Sequence, residues 1–597
     1  MPFGGGSGKA AEFKLEEVTT PDITIRLSGD AGQGLESSGA GFTLAAARAG
    51  LHVLGTPDYR SRVRGGNNFF QVRLGNSPVY SQPHEINVLL ALTADAVAMH
   101  ADSVMEGGVV LAPAEVAVDD ALLRARNITL IQPPLVELAR QHGDRMMANT
   151  GAMAALAALI GFPLQAILDV IAKNFARKGA EAVAKNQAVA NAAHKATMQD
   201  AGRVPFKVSV PAEPARRMVI TGNQALALGA LAGGCRYMSA YPMTPATTII
   251  EWLSSLPPDY GMVTKHAEDE IAAICMAIGA SYTGARAMTA TSGGGFCLMV
   301  EALGLAGMTE VPVVIVDAQR GGPSTGLPTR TEQGDLLFAV NAGHGEFPRI
   351  VIAPRTIEEC FETGWRAFNL AERYQCPVIV LTDMLLAGSI GTIEPVDFGA
   401  VTIDRGRAIE PDEHASGNGF RRFEFAPDGI SPRAFPGDPE AVFASSSDEH
   451  DETGHITEDA ANRVRMMQKR MQKLETAAGE AKPPELYGPP DAETTLLAWG
   501  STYGPCREAV DLLNADGKPA ANLLSFTDLW PLATWTEEML RGRRIIAVEG
   551  NYSSQLAQLL RMKTGVSIDG SINRYDGRPF SPEEIAVHVK EGQFAAV

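Results

Sequence analysis

The chain is sparing with cysteine. Its six cysteines (Cys235, Cys275, Cys297, Cys360, Cys376, Cys506) are scattered over 597 residues, with no Cys-x-x-Cys and no Cys/His cluster. That spacing excludes a zinc or iron–sulfur site built by this chain alone. Such sparse use fits a reducing cytoplasm, with the thiols as core filler. The N-terminus, Met1-Pro-Phe-Gly-Gly-Gly-Ser-Gly-Lys9, lacks the apolar stretch of a signal peptide and reads as a flexible tail. The most membrane-like run, Gly151 to Ala172, is interrupted by Pro163, Gln165 and Asp169 and reads as a buried pair of helices. Positive charge is also in deficit: 51 Lys and Arg against 69 Asp and Glu give a formal net charge of −18. An exterior of that sign repels phosphates, which argues against nucleic acid and anionic membranes as partners. A local basic pocket for a small anion is still compatible with it.

A hydrophobic fraction of 45% and a charged fraction of 20% are those of an ordinary soluble protein, and the length leaves room for roughly four domains. Residues 23–200 read as one α/β domain. Ile23–Leu27 is a strand, Gly29-Asp-Ala-Gly-Gln-Gly34 a tight turn, and an Ala-rich helix follows to Ala49. Strand, glycine turn and helix in that order converge backbone N–H groups on one point that suits an anion, and they equally make a plain strand-to-helix turn. Arg60, Arg62 and Arg64 stand beside the pair Gly65-Gly66 and read either as an anion-binding set or as a solvated loop. Val88–Leu92 and Gly108–Ala112 are further strands, and Lys185 to Arg217 reads as a linker rich in Ala, Asn, Lys and Pro.

From Arg217 to residue 394, helices alternate with apolar strands such as Val311–Val316, Arg349–Ile352 and Pro377–Thr382, the pattern of a parallel sheet covered on both faces. Ligands in such sheets bind at the carboxyl ends of the strands, and Asp317-Ala-Gln-Arg320 sits at one. Residues 395–490 lose periodicity and read as an irregular arm, with Thr457 to Ala477 an exposed, charged helix. Residues 494–597 form a compact α/β unit with strands Thr495–Trp499 and Arg544–Glu549. On their own, Glu268-Asp-Glu270 read as the acidic first turn of a helix, Arg320 as a salt-bridge former, and Thr244 as part of a Pro-bounded turn.

Five motifs resemble one family: Tyr241-Pro-Met-Thr-Pro-Ala-Thr247, Thr291-Ser-Gly-Gly-Gly295, Gln319-Arg-Gly-Gly-Pro-Ser-Thr-Gly-Leu-Pro-Thr329, Gly222-Asn-Gln-Ala225 and Val548-Glu-Gly-Asn551. They are similar to the α chain of thiamine-dependent 2-oxoacid:ferredoxin oxidoreductases, while Gly32-Gln-Gly34 and Arg64-Gly-Gly66 look like that family's γ chain fused in front. The resemblance covers nearly the whole chain. It implies a γ-type α/β domain, then a pyrimidine-type thiamine diphosphate domain with a parallel sheet, then a transketolase-C-like α/β domain. It also implies oxidative decarboxylation of a 2-oxoacid with coenzyme A, to acyl-CoA, carbon dioxide and reduced ferredoxin. The 2-oxoglutarate enzymes are the nearest members. A pyruvate or broad-specificity enzyme and a non-catalytic binding subunit remain as alternatives.

Carried over position by position, the resemblance makes Glu270 the carboxylate on the cofactor's aminopyrimidine ring, with Pro242 and Thr244 beside the cofactor. Arg320 becomes the partner of the substrate carboxylate, and Thr329 and Arg330 would meet a second carboxylate. In the γ-like domain, Gly32, Gln33, Arg62 and Arg64 become contacts to coenzyme A. No Gly-Asp-Gly followed by an Asn pair is present; Asp569-Gly570 lacks that context. The resemblance therefore assigns Mg2+, the diphosphate and the [4Fe-4S] clusters to a separate β subunit, no metal to this chain, and an (αβ)2 heterotetramer to the assembly.

Overall fold

The computed structural model describes residues 18–19, 22–58, 66–409 and 420–597. These fall into two compact units: one of residues up to Val79 together with Glu85–Arg216, the other of Tyr80–His84 together with Arg217–Val597. Among the described residues no helix is long and apolar enough to cross a membrane.

In the first unit, strands Thr129–Ile131, Val104–Leu111, Ile86–Ala91 and Asp22–Asp30 run parallel. Asn67–Gly75 then lies antiparallel between Asp22–Asp30 and His52–Asp58. Helix Ala148–Ile160 is buried continuously from Gly151 to Ile160. An all-round apolar helix of this kind is a core element, not a surface one, and the apolar run finds its partners inside the domain. The linker reading of Lys185 to Arg217 is corrected at its start. Ala180–Thr197 is a helix that buries Val189, Ala190, Ala193 and Thr197 at four- and three-residue spacing, and Phe206–Lys207 is a short strand.

The second unit is built on seven strands in the order Val263–His266, Cys235–Ala240, Arg286–Thr291, Val313–Gln319, Pro377–Asp383, Ile350–Ile352 and Asp528–Trp530. All pairings are parallel except the last, which the C-terminal part of the chain contributes. A five-stranded sheet follows, Glu485–Tyr487, Ala521–Phe526, Thr494–Trp499, Ile545–Glu549 and Gly570–Asn573, with only its first pairing antiparallel. The two sheets share a core in which Phe296, Val313 and Ile315 pack in one cluster with Leu497, Trp499, Phe526 and Ile545.

Residues 420–457 form turns and isolated bridges that lead into helix Ala460–Glu480. This helix was expected to be exposed; instead one face is buried, and it carries charges. Lys469 and Lys473 donate to the two oxygens of Glu310 at 2.7 and 2.6 Å, and all three side chains are almost fully buried. Arg422 donates to the Glu310 carbonyl at 2.7 Å and to Gln375 Oε1 at 2.9 Å. Burial alone would raise the Glu310 carboxyl, but Lys469, Lys473 and Arg422 together hold it far below the ordinary range. A second acid, Glu372, is paired by Arg286 at 2.8 Å, Arg405 at 2.9 Å and Arg433 at 3.1 Å. The helical pattern concealed this arrangement because the long cationic side chains that look solvated are placed onto buried acids.

The cysteines divide. Cys235, Cys360, Cys376 and Cys506 are buried, as core filler should be, whereas Cys275 and Cys297 are exposed.

Candidate active site

The site forms at the carboxyl ends of the parallel strands. Strand Cys235–Ala240 leads into Tyr241-Pro-Met-Thr244, and the Thr244–Pro245 peptide is cis. Asn223, in the first turn of helix Gly222–Ala232, donates to the Pro245 carbonyl at 2.9 Å and to Thr248 Oγ1 at 2.8 Å, which anchors this turn. Arg320, one residue beyond strand Val313–Gln319, donates from Nη1 to the Thr244 carbonyl at 2.8 Å. The guanidinium is half-buried, and burial lowers its pKa. Thr244 and Arg320, distant in sequence, thus meet, and the remaining donors of the Arg320 fork can take a carboxylate.

Of the acids Glu268 to Glu270, only one is inside. Asp269 caps helix Glu270–Tyr282 by accepting from the Ala272 N–H at 2.7 Å, and Glu268 is exposed. Glu270 is 3% exposed, and its Oε1 has no hydrogen-bond partner among the described residues. A carboxylate oxygen left unpaired in the interior is costly, so such a group marks a position whose partner arrives from outside the chain. Gly295 makes room for it: a Cβ there would lie 2.6 Å from Glu270 Oε1 and would also strike Thr291 Oγ1. Thr291 Oγ1 in turn lies 3.9 Å from Met243 Sδ. The Tyr-Pro-Met-Thr turn, the Thr-Ser-Gly-Gly-Gly helix start and Glu270 are therefore one constellation, with Pro242 exposed at its edge. An unpaired buried carboxylate opposite an open glycine helix start fits a heteroaromatic cofactor that brings its own ring donors and acceptors.

The loop after Arg320 closes on itself. Leu327 N–H donates to the Gly321 carbonyl at 2.7 Å, and Gly321 N–H to the Arg330 carbonyl at 3.0 Å. Arg330 lays its stem against Gly577, where an added Cβ would come within 2.7 Å of it. Thr329 is partly buried in the same loop. Sequence reading passed over the residue that fixes this loop. Gln333 is 2% exposed and uses all four of its polar groups on the C-terminal sheet: N–H to the Gly550 carbonyl at 2.7 Å, Nε2 to the Trp499 carbonyl at 2.7 Å, Oε1 from Gly550 N–H at 2.8 Å, and its carbonyl from Asn551 Nδ2 at 3.1 Å. A lone Gln in a loop carries no signal of this kind. Val548-Glu-Gly-Asn551 belongs to the same junction. Glu549 is fully buried and accepts from Trp499, Asn551 and the N–H groups of Leu556 and Ala557, which starts helix Gln555–Thr564. Burial raises its pKa against these four donors.

In the first unit, Gly34 stands in the left-handed region (φ 72°) as N-cap of helix Leu35–Arg48 without a side-chain cap, so the first N–H groups stay open. Gln33 turns inward: its Oε1 accepts from the Asp30 N–H at 2.8 Å, and its carbonyl accepts from Asn149. Gly32 is exposed, with φ 88°. Asp30, Glu36 and Asp58 line the cavity beside this turn, so its described walls are acidic. Arg60, Arg62 and Arg64 lie outside the described residues.

Comparison with known proteins follows the same lines. Residues 24–196 match the family described as pyruvate ferredoxin/flavodoxin oxidoreductase, and residues 228–469 match the thiamine diphosphate-binding family of pyruvate flavodoxin/ferredoxin oxidoreductases. The chain is 36% identical to the alpha subunit of a 2-oxoacid:ferredoxin oxidoreductase from Sulfolobus, over 94% of this chain and 95% of that one. It is 31% identical to the 2-oxoglutarate oxidoreductase subunit KorA of Mycobacterium tuberculosis, over 99% and 95%. Among solved structures, the 2-oxoglutarate:ferredoxin oxidoreductase of Magnetococcus marinus, with 2-oxoglutarate, coenzyme A and succinyl-CoA bound, superposes with a TM-score of 0.90 at 34% identity, covering 96% of this chain and 99% of that one. With the site's motifs in one constellation and relatives matching end to end, the chain belongs to the 2-oxoacid:ferredoxin oxidoreductases as an alpha subunit carrying a γ-type domain at its N-terminus.

Proposed function

We propose that this subunit acts in the CoA-dependent oxidative decarboxylation of 2-oxoglutarate to succinyl-CoA, carbon dioxide and reduced ferredoxin, in the cytoplasm and in company with a β subunit. The observation that carries the reading is the pairing of Arg320 with Thr244 next to the unpartnered buried Glu270 Oε1. Thiamine diphosphate, when bound, supplies the electron sink for decarboxylation. Glu270 would hold the ring side of that cofactor and keep or exchange a proton at its free oxygen. Thr244 and Pro242 would shape the wall beside it, and Arg320 would orient the substrate carboxylate with its remaining donors. Thr329 and Arg330, in the loop closed by Gly321, would receive the distal carboxylate. The diphosphate, Mg2+ and the [4Fe-4S] clusters would be held by the β subunit in an (αβ)2 assembly. Gly32, Gln33, Arg62 and Arg64 are proposed as coenzyme A contacts. In domain terms we assign 23–200 to the γ-like domain, 217–394 to the pyrimidine-type domain, 395–490 to the arm and 494–597 to the transketolase-C-like domain.

The names of the Mycobacterium and Magnetococcus relatives favour 2-oxoglutarate, whereas the Sulfolobus relative is named for 2-oxoacids in general, which keeps a broad-specificity enzyme as the second reading. The deciding experiment is anaerobic viologen reduction by the native complex with a panel of 2-oxoacids, with and without coenzyme A, repeated with Arg330→Ala. CoA-dependent reduction fastest with 2-oxoglutarate, with that preference lost in Arg330→Ala, is the expected result. Equal rates on pyruvate and 2-oxoglutarate would establish the broad enzyme, and no reduction from a complex containing thiamine diphosphate and iron would overturn the catalytic reading.

A further inference from the structure

Most buried acids of the second unit are answered by a partner. Lysine or arginine meets Glu310, Glu372 and Asp528, and hydroxyl, amide or backbone N–H donors meet Asp383 and Glu549. Glu270 keeps one oxygen for the cofactor proposed above. Asp317 is treated differently: it is fully buried, and neither of its oxygens has a hydrogen-bond partner among the described residues. The hydroxyls of Ser292 and Thr289, also fully buried, are without partners too. So many bare oxygens in one interior region are far from the usual satisfaction of buried polar groups.

The backbone brings a second acid to the same place. Side chains alternate along a strand, and Ala287, Val313 and Ile315 pack in one core cluster, so Thr289, Thr291, Asp317 and Gln319 share that face. Asp335 N–H donates to Gln319 Oε1 at 3.0 Å, which stands Asp335 over the face one side chain along from Asp317. Ser292 lies between the two acids. It follows Thr291, the register partner of Asp317, and it precedes Gly293, where an added Cβ would come within 2.5 and 3.0 Å of the Asp335 carboxylate oxygens. Burial, then the charges of Asp335 and Asp317, raise the Cys297 thiol one turn along helix Gly293–Met308, so both carboxylates reach the same turn. Burial lifts Asp317 well above the ordinary carboxylate range, and the neighbouring Asp335 charge adds to this. Burial pushes Asp335 up to about 6. No cation or donor among the described residues pulls either one back.

We propose that Asp317, Asp335 and the Ser292 hydroxyl bind a divalent, oxygen-coordinated cation, Mg2+ or Ca2+, in the alpha subunit itself. Two carboxylates and a hydroxyl are the ligand set of a hard ion. Among the described residues no group of three His, Cys, Asp or Glu stands ready for a metal, which sets aside a transition metal here. Water would satisfy the bare oxygens and still leave two adjacent negative charges; a divalent ion answers both. It would tie together strand Val313–Gln319, the glycine helix start and the loop before helix Leu336–Asn341, the segments that carry Arg320 and Gly295 and adjoin Gln333. This ion is separate from the Mg2+ assigned to the β subunit, and its binding does not depend on the role proposed for Glu270.

The test counts metal in the assembled enzyme, treated with a chelator and then dialysed against Mg2+ alone or Ca2+ alone. The parent is expected to hold one divalent ion per alpha subunit beyond one for each thiamine diphosphate, with thiamine measured on the same sample, and to gain melting temperature when the ion is restored. Asp317→Asn should lose that extra ion and the gain while keeping its thiamine diphosphate. A parent with no ion in excess of thiamine diphosphate, or an Asp317→Asn variant with the parent's count, overturns the site. A gain in melting temperature from K+ or Na+ with no excess divalent ion overturns the divalent assignment. If Asp317→Asn does not assemble, Asp335→Asn, altered at the partly exposed ligand, should raise the Kd for the ion at least tenfold by equilibrium dialysis, and an unchanged Kd overturns the site.

Discussion

Two buried glutamates in the same unit are treated in opposite ways. Glu310 has both oxygens met by lysines, Lys469 at 2.7 Å and Lys473 at 2.6 Å, and its carbonyl met by Arg422. Glu270, 3% exposed, keeps Oε1 without a partner, and the sheet behind it adds Asp317, Thr289 and Ser292 in the same condition. A network whose members all find partners fixes the fold and leaves nothing to bind. A patch with none lowers stability, and a chain keeps it where a ligand or a proton completes it. The arm helix Ala460–Glu480 and the cofactor-side face therefore divide the polar interior into a structural half and a working half.

The sharpest way to break this contrast is to neutralise each glutamate in turn. Glu270→Gln should cut 2-oxoacid-dependent viologen reduction by roughly a hundredfold or more and leave the melting temperature unchanged or higher, because no hydrogen bond to the unpartnered Oε1 is lost. Glu310→Ala should do the reverse: about 3–5 kcal/mol of stability lost in denaturant unfolding, because two lysines are stranded in the interior, with the turnover of the folded fraction unaffected. If Glu270→Gln were the more destabilised of the two, the division would be wrong.

Gln333→Ala should have an intermediate effect. Loss of its side-chain bonds to Trp499 and Gly550 should cost about 1–3 kcal/mol and should raise the KM for the 2-oxoacid, since the same loop carries Arg320 and Arg330. Amide hydrogen exchange that quickens in both Gly321–Arg330 and Gly550–Gln555 would locate the effect at this junction; a change confined to one side would count against it.

The smallest effect is in the pH dependence, and its sign differs between the two regions. Glu310 is held below its ordinary pKa, so its contribution is present above that ordinary value and is lost as pH falls toward the folded value. Asp317 and Asp335 are raised, so their contribution is present below the ordinary aspartate value and declines as pH climbs from there, through about 6 for Asp335. Unfolding of the chelated protein followed against pH should therefore show Glu310→Gln flattening the acid limb and Asp335→Asn flattening the decline toward neutrality. The same slopes in both variants would erase the distinction.

Much of the site was legible beforehand because its motifs lie at strand ends, where an apolar run gives way to glycine, proline or a polar residue. Arg320, Thr244 and Glu270 stand at or near such positions, but on their own they read as a salt-bridge former, a turn and an acidic helix start, and only the family resemblance singled them out. The helix Ala460–Glu480 misled for a physical reason: Lys469, Arg470 and Lys473 recur at spacings that look like a solvated face, and only the position of Glu310 and Glu449 shows that they turn inward. Asp317 did carry a signal, an acid continuing a β-branched apolar strand, but its lack of partners depends on what surrounds it. Gln333 carried none.

Local sequence by itself determined many of the elements and their order: apolar strands of a parallel sheet, glycine turns before helices, an acidic helix start at Glu268–Glu270, and the family to which these motifs belong. Tertiary structure alone decided which polar groups are satisfied. A hydrogen-bond partner is supplied by a chain segment tens to hundreds of residues away, as Lys469 is for Glu310 and Trp499 for Gln333, so whether a buried carboxylate is a structural tie or an open working group is a property of the packed fold and not of the residues that flank it.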